Sequence, residues 1–421
     1  MIKRMIALIN IVLCLGVMIA CNGQEQPQGG KDTASEPVAA GESISGKTKD
    51  AKDISFKMIY QTGNLGVSNA GYYEIYDNLD GSGNILYTDV ETKQRIYLSP
   101  DISSDHQSAA DPSWIESTLG GVTVFAAGDS LFIQKNDFDD FGALYRAELN
   151  GGNRVKLLDF VDYESWFSSI AGDGENLYTL LTKRTGGCFL VKISMADGTI
   201  EPLYQMPYEI NFLQSVYDDC ILIQSTVRPD PEEYSDGDEI YENTEFKVYR
   251  YAVTSNQLDE VLQWKMGNME GAFDHSSMYI FDYQKDCLKV YDFRDDTETI
   301  RIESLKEKGI SGDGLSIDSV RDDHLAYDVD GSSFIMDLST LEIQERLCME
   351  DSYMYPIILG AFGDKYMVTA GELEIPYDDF DPAGNPIINT RLVSRLALID
   401  SDDYWNSEYN FERIRDTFLG E

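Results

Sequence analysis

From residue 54 onward the apolar positions come in short runs rich in Tyr, Val, Ile, Leu and Phe, separated by Gly, Asp and Asn. Helical periodicity is nearly absent, and runs of this kind read as strands joined by tight turns. One unit recurs: a small inner segment, an Asp/Gly turn, a strand, a loop, a strand with an aromatic residue near its start, a polar hairpin and a last strand. Its clearest copy runs through 169–172, 176–180, 188–193, a hairpin at 196–199 and a fourth strand at 200–204. The third strand returns as Ile85-Leu86-Tyr87, Ala143-Leu144-Tyr145, Phe189-Leu190-Val191, Lys247-Val248-Tyr249, Lys289-Val290-Tyr291, Ser333-Phe334-Ile335 and Arg395-Leu396-Ala397. Their middle residues are 58, 46, 58, 42, 44 and 62 positions apart. The short gaps match the roughly 40–50 residues of a four-stranded propeller blade, and the long ones require insertions. The pattern predicts an all-β, seven-bladed β-propeller over 54–421. A pair of β-sandwiches would not need one unit repeated seven times.

The N-terminus has a different pattern. Lys3 and Arg4 precede an apolar run ending at Ala20, which is too short for a typical membrane span and is followed at once by polar residues. Residues 1–20 read as a secretory signal. Met18-Ile19-Ala20-Cys21 resembles the lipobox of bacterial lipoproteins, which implies lipidation of Cys21 and an extracytoplasmic protein anchored to the cell membrane by its N-terminal lipid. Residues 21–53 contain no aromatic side chain and are rich in Gly, Gln, Ser and Lys, the composition of a disordered tether.

Charge narrows the partners. The chain carries 33 Lys and Arg against 74 Asp and Glu, a net charge of −41, which offers no footprint for a phosphate backbone and leaves the lipid as the only membrane contact. Past Cys21 the cysteines are Cys188, Cys220, Cys287 and Cys348, without a Cys-x-x-Cys pair, so zinc and thioredoxin-like chemistry have no support. Each lies in or beside an apolar run, where a small buried thiol is the expected state.

The segments Gly71-Tyr72-Tyr73, 84–89, Asp105-His106 and Ser113-Trp114-Ile115 resemble those of β-propeller lipoproteins of Gram-positive, gut-type bacteria. Those relatives often carry two cysteines flanking the His, where this chain has Ser and Ala. The resemblance implies the propeller and the anchor, and no activity.

In a propeller, the loops joining second and third strands share a face with the links between blades, and ligands usually sit there. Four of these loops are acidic here: 77–81, 137–141, 230–239 and 377–381. The links add Trp114, Tyr163, Trp166, Phe167, Tyr208, Trp264, Tyr353 and Tyr355. Ligand-face candidates are therefore His106, Trp114, Tyr163, Trp166 and Tyr208, with Asp139, Asp140, Asp236, Asp378 and Asp379. Rings that stack on apolar sugar faces and carboxylates that accept hydroxyls suit a glycan, a peptide or an envelope protein. Acidic loops also serve solubility and aromatic residues at blade junctions also serve packing. Calcium is the one cofactor the clustered oxygens suggest, but 77–84 lacks EF-hand spacing, and otherwise none is expected. His106, His275 and His324 are the only histidines, the last two in first-to-second-strand turns on the opposite face, and neither a nucleophile elbow nor a P-loop is present. The sequence thus favours a binding protein over a glycan-active hydrolase or lyase, with an envelope scaffold as a third class. Finally, the alternating Ile54, Phe56, Met58 and Tyr60 are surplus to a first blade whose inner strand is 65–70, and are expected to close the ring by pairing in the last blade beside 396–399.

Overall fold

The computed structural model describes residues 56–61, 67–68, 71–99, 104–136, 142–164, 169–229, 240, 243–310, 315–349, 354–380 and 386–420. Seven antiparallel sheets follow one another along the chain, and each of the seven third strands expected from the repeat is the third strand of its own blade. Blade 1 is built from a bridge of Val67 to Tyr72, then Gly71–Asp77, Gly83–Asp89 and an outer strand split into Gln94–Tyr97 and Trp114–Ile115. The split holds the first long insertion. Blade 4 holds the second, between Cys220–Val227 and Glu245–Ala252. In blade 7 the extra residues lengthen the strands themselves: Lys365–Phe380 and Pro386–Asp400 form a ribbon that projects beyond the blade.

Side chains alternate along each strand toward one neighbouring blade or the other. Burial is accordingly organised as one apolar cluster at each of the seven blade junctions. Between blades 2 and 3, for example, Phe125, Phe132 and Leu144 pack against Ile170, Leu177 and Val191. Blades 7 and 1 meet through Tyr72, Leu359, Met367, Leu396, Leu398 and Ile414.

Ring closure differs from the expectation. The strand Lys57–Gln61 does not join the last blade; it pairs antiparallel with Ser169–Gly172, the innermost strand of blade 3, and makes that sheet five-stranded. A bulge between Met58 and Tyr60 breaks the simple alternation read from the sequence. Phe56 and Met58 reach the core between blades 3 and 4, while Ile59 reaches the core between blades 2 and 3. Small residues make this possible: a Cβ at Gly172 would overlap the Ile59 side chain. The outer position of blade 7 is taken instead by Glu412–Arg413, paired with Ala397 and Leu398. The chain then continues onto blade 1, where Gln94 and Arg415 form a parallel bridge.

A buried ion cluster locks this seam. Arg95 donates from Nε to Glu74 Oε1 at 2.6 Å and from Nη1 to Asp416 Oδ1 at 3.2 Å and the Ser394 carbonyl at 2.9 Å. Phe418 lies 5.1 Å from the guanidinium and packs edge-on against Tyr76 and Tyr97. Two further expectations change. Neither Trp264 nor Trp114 is in a link: Trp264 is buried on the outer strand Gln257–Lys265 of blade 4, and Trp114 belongs to the split outer strand of blade 1. The described cysteines are all free, but only Cys188 and Cys287 are buried, Cys220 being half-buried and Cys348 exposed because it follows the short outer strand of blade 6 rather than lying within a sheet.

Candidate functional site

The face that carries the second-to-third-strand loops and the blade links has a cleft at the seam of blades 1 and 7, with a volume of about 560 Å³. Blade 1 supplies Tyr76, Asn78, Leu79, Asp80, Asn84 and Tyr97, its split outer strand supplies Asp105, His106, Gln107 and Trp114, and the ribbon of blade 7 supplies Ile375, Tyr377 and Arg391. The ribbon projects over the site because one of its sides is sheltered. Burial alternates from Gly371 to Asp378, and Leu373, Ile375 and Tyr377 form the sheltered side with Arg391 and Val393, while Glu372, Glu374 and Asp378 face outward.

The wall holding His106 is fastened by polar contacts. Asn84, nearly fully buried, donates from Nδ2 to the His106 carbonyl and to Ser113 Oγ, both at 2.9 Å, and its Oδ1 accepts from Asn78 Nδ2 at 2.9 Å. Asp111 Oδ1 accepts the Ser113 N–H at 2.8 Å and its hydroxyl at 2.6 Å. Arg154, reaching from blade 2, donates to the carbonyls of Pro112 and Trp114. The loop thus has no need of regular structure to be fixed. His106 takes a left-handed φ of 55°, stacks on Tyr97 with ring centroids 4.3 Å apart, and places Nδ1 2.9 Å from Asp111 Oδ2.

Burial would raise the Asp111 pKa, but hydrogen bonds from Ser104, Ser113 and Ser99 outweigh it and hold this carboxyl well below the usual carboxylate range. The side chain, only 1% exposed, is an acceptor inside the wall. Across the cleft, the Arg391 guanidinium lies 3.9 Å from the centre of the Tyr76 ring, a cation–π contact. Asp80 accepts from the Ser82 hydroxyl and N–H, which lowers its pKa and keeps it an acceptor. Donors, acceptors and aromatic faces therefore share one concavity, the arrangement that orients a polar ligand with an apolar face.

Of the residues singled out from sequence, His106 and Trp114 meet in this cleft. Asp378 is exposed on the outward side of the ribbon, and Asp379 is next to it in the same strand. Tyr163 is buried in the core between blades 2 and 3, where it packs, and Tyr208 is half-buried at the link of blades 3 and 4 with Lys247 Nζ 5.6 Å from its ring. Trp166, Asp139, Asp140 and Asp236 lie outside the described residues. Among the described residues, no group of three or more His, Cys, Asp or Glu side chains is placed to hold a metal ion. The sequence reading missed Asp111, Arg391 and the Asn84 anchor, and took Tyr377 only as part of an acidic loop. Arg391 and Tyr377 lie some three hundred residues from Asn84 along the chain, and only ring closure brings them together.

No family model matches the chain, and no curated protein does. Among solved structures it is similar to TolB from Acinetobacter baumannii, with 11% identity over 66% of this chain and 63% of that one and a TM-score of 0.35. The chain thus spans a little under two thirds of that protein's length. The β-propeller domain of the trilobed protease from Pyrococcus furiosus matches with 11% identity over 86% of this chain and 99% of that one, TM-score 0.47. An oligogalacturonate lyase in complex with manganese matches with 14% identity over 84% and 86%, TM-score 0.44.

Proposed function

We propose that the protein is a surface-tethered binding propeller that takes a saccharide in the cleft between blade 1 and the blade 7 ribbon. The observation that carries this is the cleft's lining, where Trp114 and Tyr377 offer rings for a sugar face while Asp80, Asp105, Gln107 and Arg391 offer hydrogen-bonding groups. The course of the chain supports the display. Lys57 pairs with Gly172 at the lower end of blade 3 and Gln61 with Ser169 at the upper end, so the chain comes into the ring from the face opposite the cleft. With Cys21 lipidated and 21–53 as tether, the anchored end would reach the ring on the side away from the cleft.

The glycosidase alternative needs two carboxyls flanking the ligand, one of them with a raised pKa. Asp80 is shifted the other way, and the carboxyl pushed up to about 7 by burial, Glu270, sits between blades 5 and 6. A scaffold would show a broad apolar face. On the outward side of the ribbon, Ile388 and Leu392 are exposed but interspersed with Glu372, Glu374 and Asp378.

Glycan-array screening of the full chain in detergent, followed by calorimetry, tests the proposal. Trp114→Ala and Tyr377→Ala should each weaken saccharide binding about tenfold or more, about 1.4 kcal/mol, with Tyr208→Ala unchanged. Saccharide binding indifferent to both cleft substitutions would move the site elsewhere. Absence of labelling by a fatty-acid analogue, or labelling that persists in Cys21→Ala, would remove the anchor.

A further inference from the structure

A histidine whose Nδ1 meets an ionised carboxylate must donate from that nitrogen, because the carboxylate can only accept. Asp111 leaves no alternative: Oδ1 is occupied by two donors from Ser113, and Oδ2 faces His106 Nδ1 at 2.9 Å. In the neutral imidazole the proton is then on Nδ1 and the lone pair on Nε2, at the opposite side of the ring. No partner for Nε2 occurs among the described residues, and the side chain, 19% exposed, lines the cleft. Stacking on Tyr97 and the Asn84 bond to the His106 carbonyl fix both ring and backbone.

We propose that Asp111 sets His106 as the Nδ1–H tautomer so that its Nε2 is the acceptor for a ligand hydroxyl, making His106 the residue that distinguishes a free hydroxyl from an alkylated one on the bound saccharide. This rests on the saccharide reading of the cleft. Its physical basis is the asymmetry of buried hydrogen bonding: a fixed acceptor facing a methyl ether loses its water and gains no donor. Discrimination of about ten- to a hundredfold is the ordinary size of that penalty. Asp111 is a positioning residue, since it acts through the imidazole.

Two measurements separate this role from the reading beneath it. The chain has three histidines, so nitrogen NMR of the histidine-labelled full chain at about pH 8, assigned with His106→Phe, reads the tautomer without any ligand. A pyrrole-type Nδ1 and pyridine-type Nε2 are expected for His106, and a mixed or reversed pattern in Asp111→Asn. Binding is then compared for cello-, malto-, manno- and chito-oligosaccharides and their O-methylated counterparts. The free forms should bind the wild type about ten- to a hundredfold tighter than the methylated ones. His106→Phe, which keeps the ring on Tyr97 and removes the acceptor, and Asp111→Asn should both erase most of that ratio. A pyridine-type Nδ1 in the wild type, or an unchanged ratio in both variants, overturns the proposal. Should no saccharide bind while the tautomer is as expected, the saccharide reading falls and this role falls with it. Binding that survives with its ratio intact in the variants removes this role alone.

Discussion

Replacing Arg95 with Met tests whether the ring is held shut by the ion cluster at its seam. Met keeps an apolar stem of similar length and removes the charge, so Glu74 and Asp416 remain where they are with nothing to neutralise them. The Arg95 and Asp416 side chains are 3% exposed and that of Glu74 13%, so all three belong to the interior. Removing one partner from a buried ion pair costs roughly 3–5 kcal/mol, whereas an exposed pair is worth about 1 kcal/mol or less. Lys93→Ala, which loses a surface pair with Glu412, is therefore the matched control. The loss should also depend on pH in a defined direction. Burial raises the Glu74 pKa even with Arg95 beside it, and without Arg95 the rise is larger. A carboxyl whose folded pKa lies above its unfolded value, about 4.3, stabilises fully below that value and loses this contribution as pH rises through the folded one. The gap between wild type and variant should thus be narrow near pH 4 and widen toward neutrality. Urea unfolding followed by tryptophan fluorescence at about pH 4.5 and pH 7.5 measures it. A difference below about 1 kcal/mol at neutral pH, or one independent of pH, would refute the seam as a charge-dependent lock and leave closure to the apolar contacts of Tyr72, Met367 and Leu398.

Other outcomes follow from the same physics. In Glu270→Gln, neutral at all pH values, wild type and variant should be equally stable below about pH 4.5, and the wild type should fall behind as pH rises through about 7, by an amount on the order of 3 kcal/mol, visible as melting temperatures that coincide at low pH and separate above it. The geometry agrees, for Tyr283 has one hydroxyl proton facing both Glu270 Oε2 and the Leu315 carbonyl, which a protonated Glu270 reconciles; a variant that gives the same melting temperature as wild type at pH 8 contradicts it. Gly172→Val should force Ile59 away and cost about 1–3 kcal/mol, with proteolysis near residues 57–61 accelerated; unchanged protection would mean that the strand tolerates a side chain there.

The architecture was legible because a blade is a local object. Its four strands are consecutive in the chain, so a repeat such as 169–204 carries the whole unit, and Phe189, Leu190 and Val191 mark its third strand without reference to anything distant. Closure was not legible for the opposite reason. The pairing of Lys57 with Gly172 spans more than a hundred residues, and period-two alternation in 54–60 announces a strand without saying which edge receives it. The cleft divides in the same way. His106 and Trp114 stood out by residue type, although both belong to the split outer strand of blade 1 with its insertion and not to a link, whereas Asp111 looked like one more acid in an acidic chain, and its significance comes from a hydrogen bond that an irregular loop makes and no spacing rule announces.

The N-terminal strand also determines how the ring would bear a load. A pull on the chain ahead of Phe56 acts along the axis of Lys57–Gln61, while the bonds joining it to Ser169–Gly172 run across that axis. They resist sliding together instead of parting one after another, and the Ile59 side chain, seated over Gly172, acts as a detent against the same motion. In the tethered saccharide binder proposed above, drag on a bound polymer would pass from the cleft through the ring to this innermost pairing.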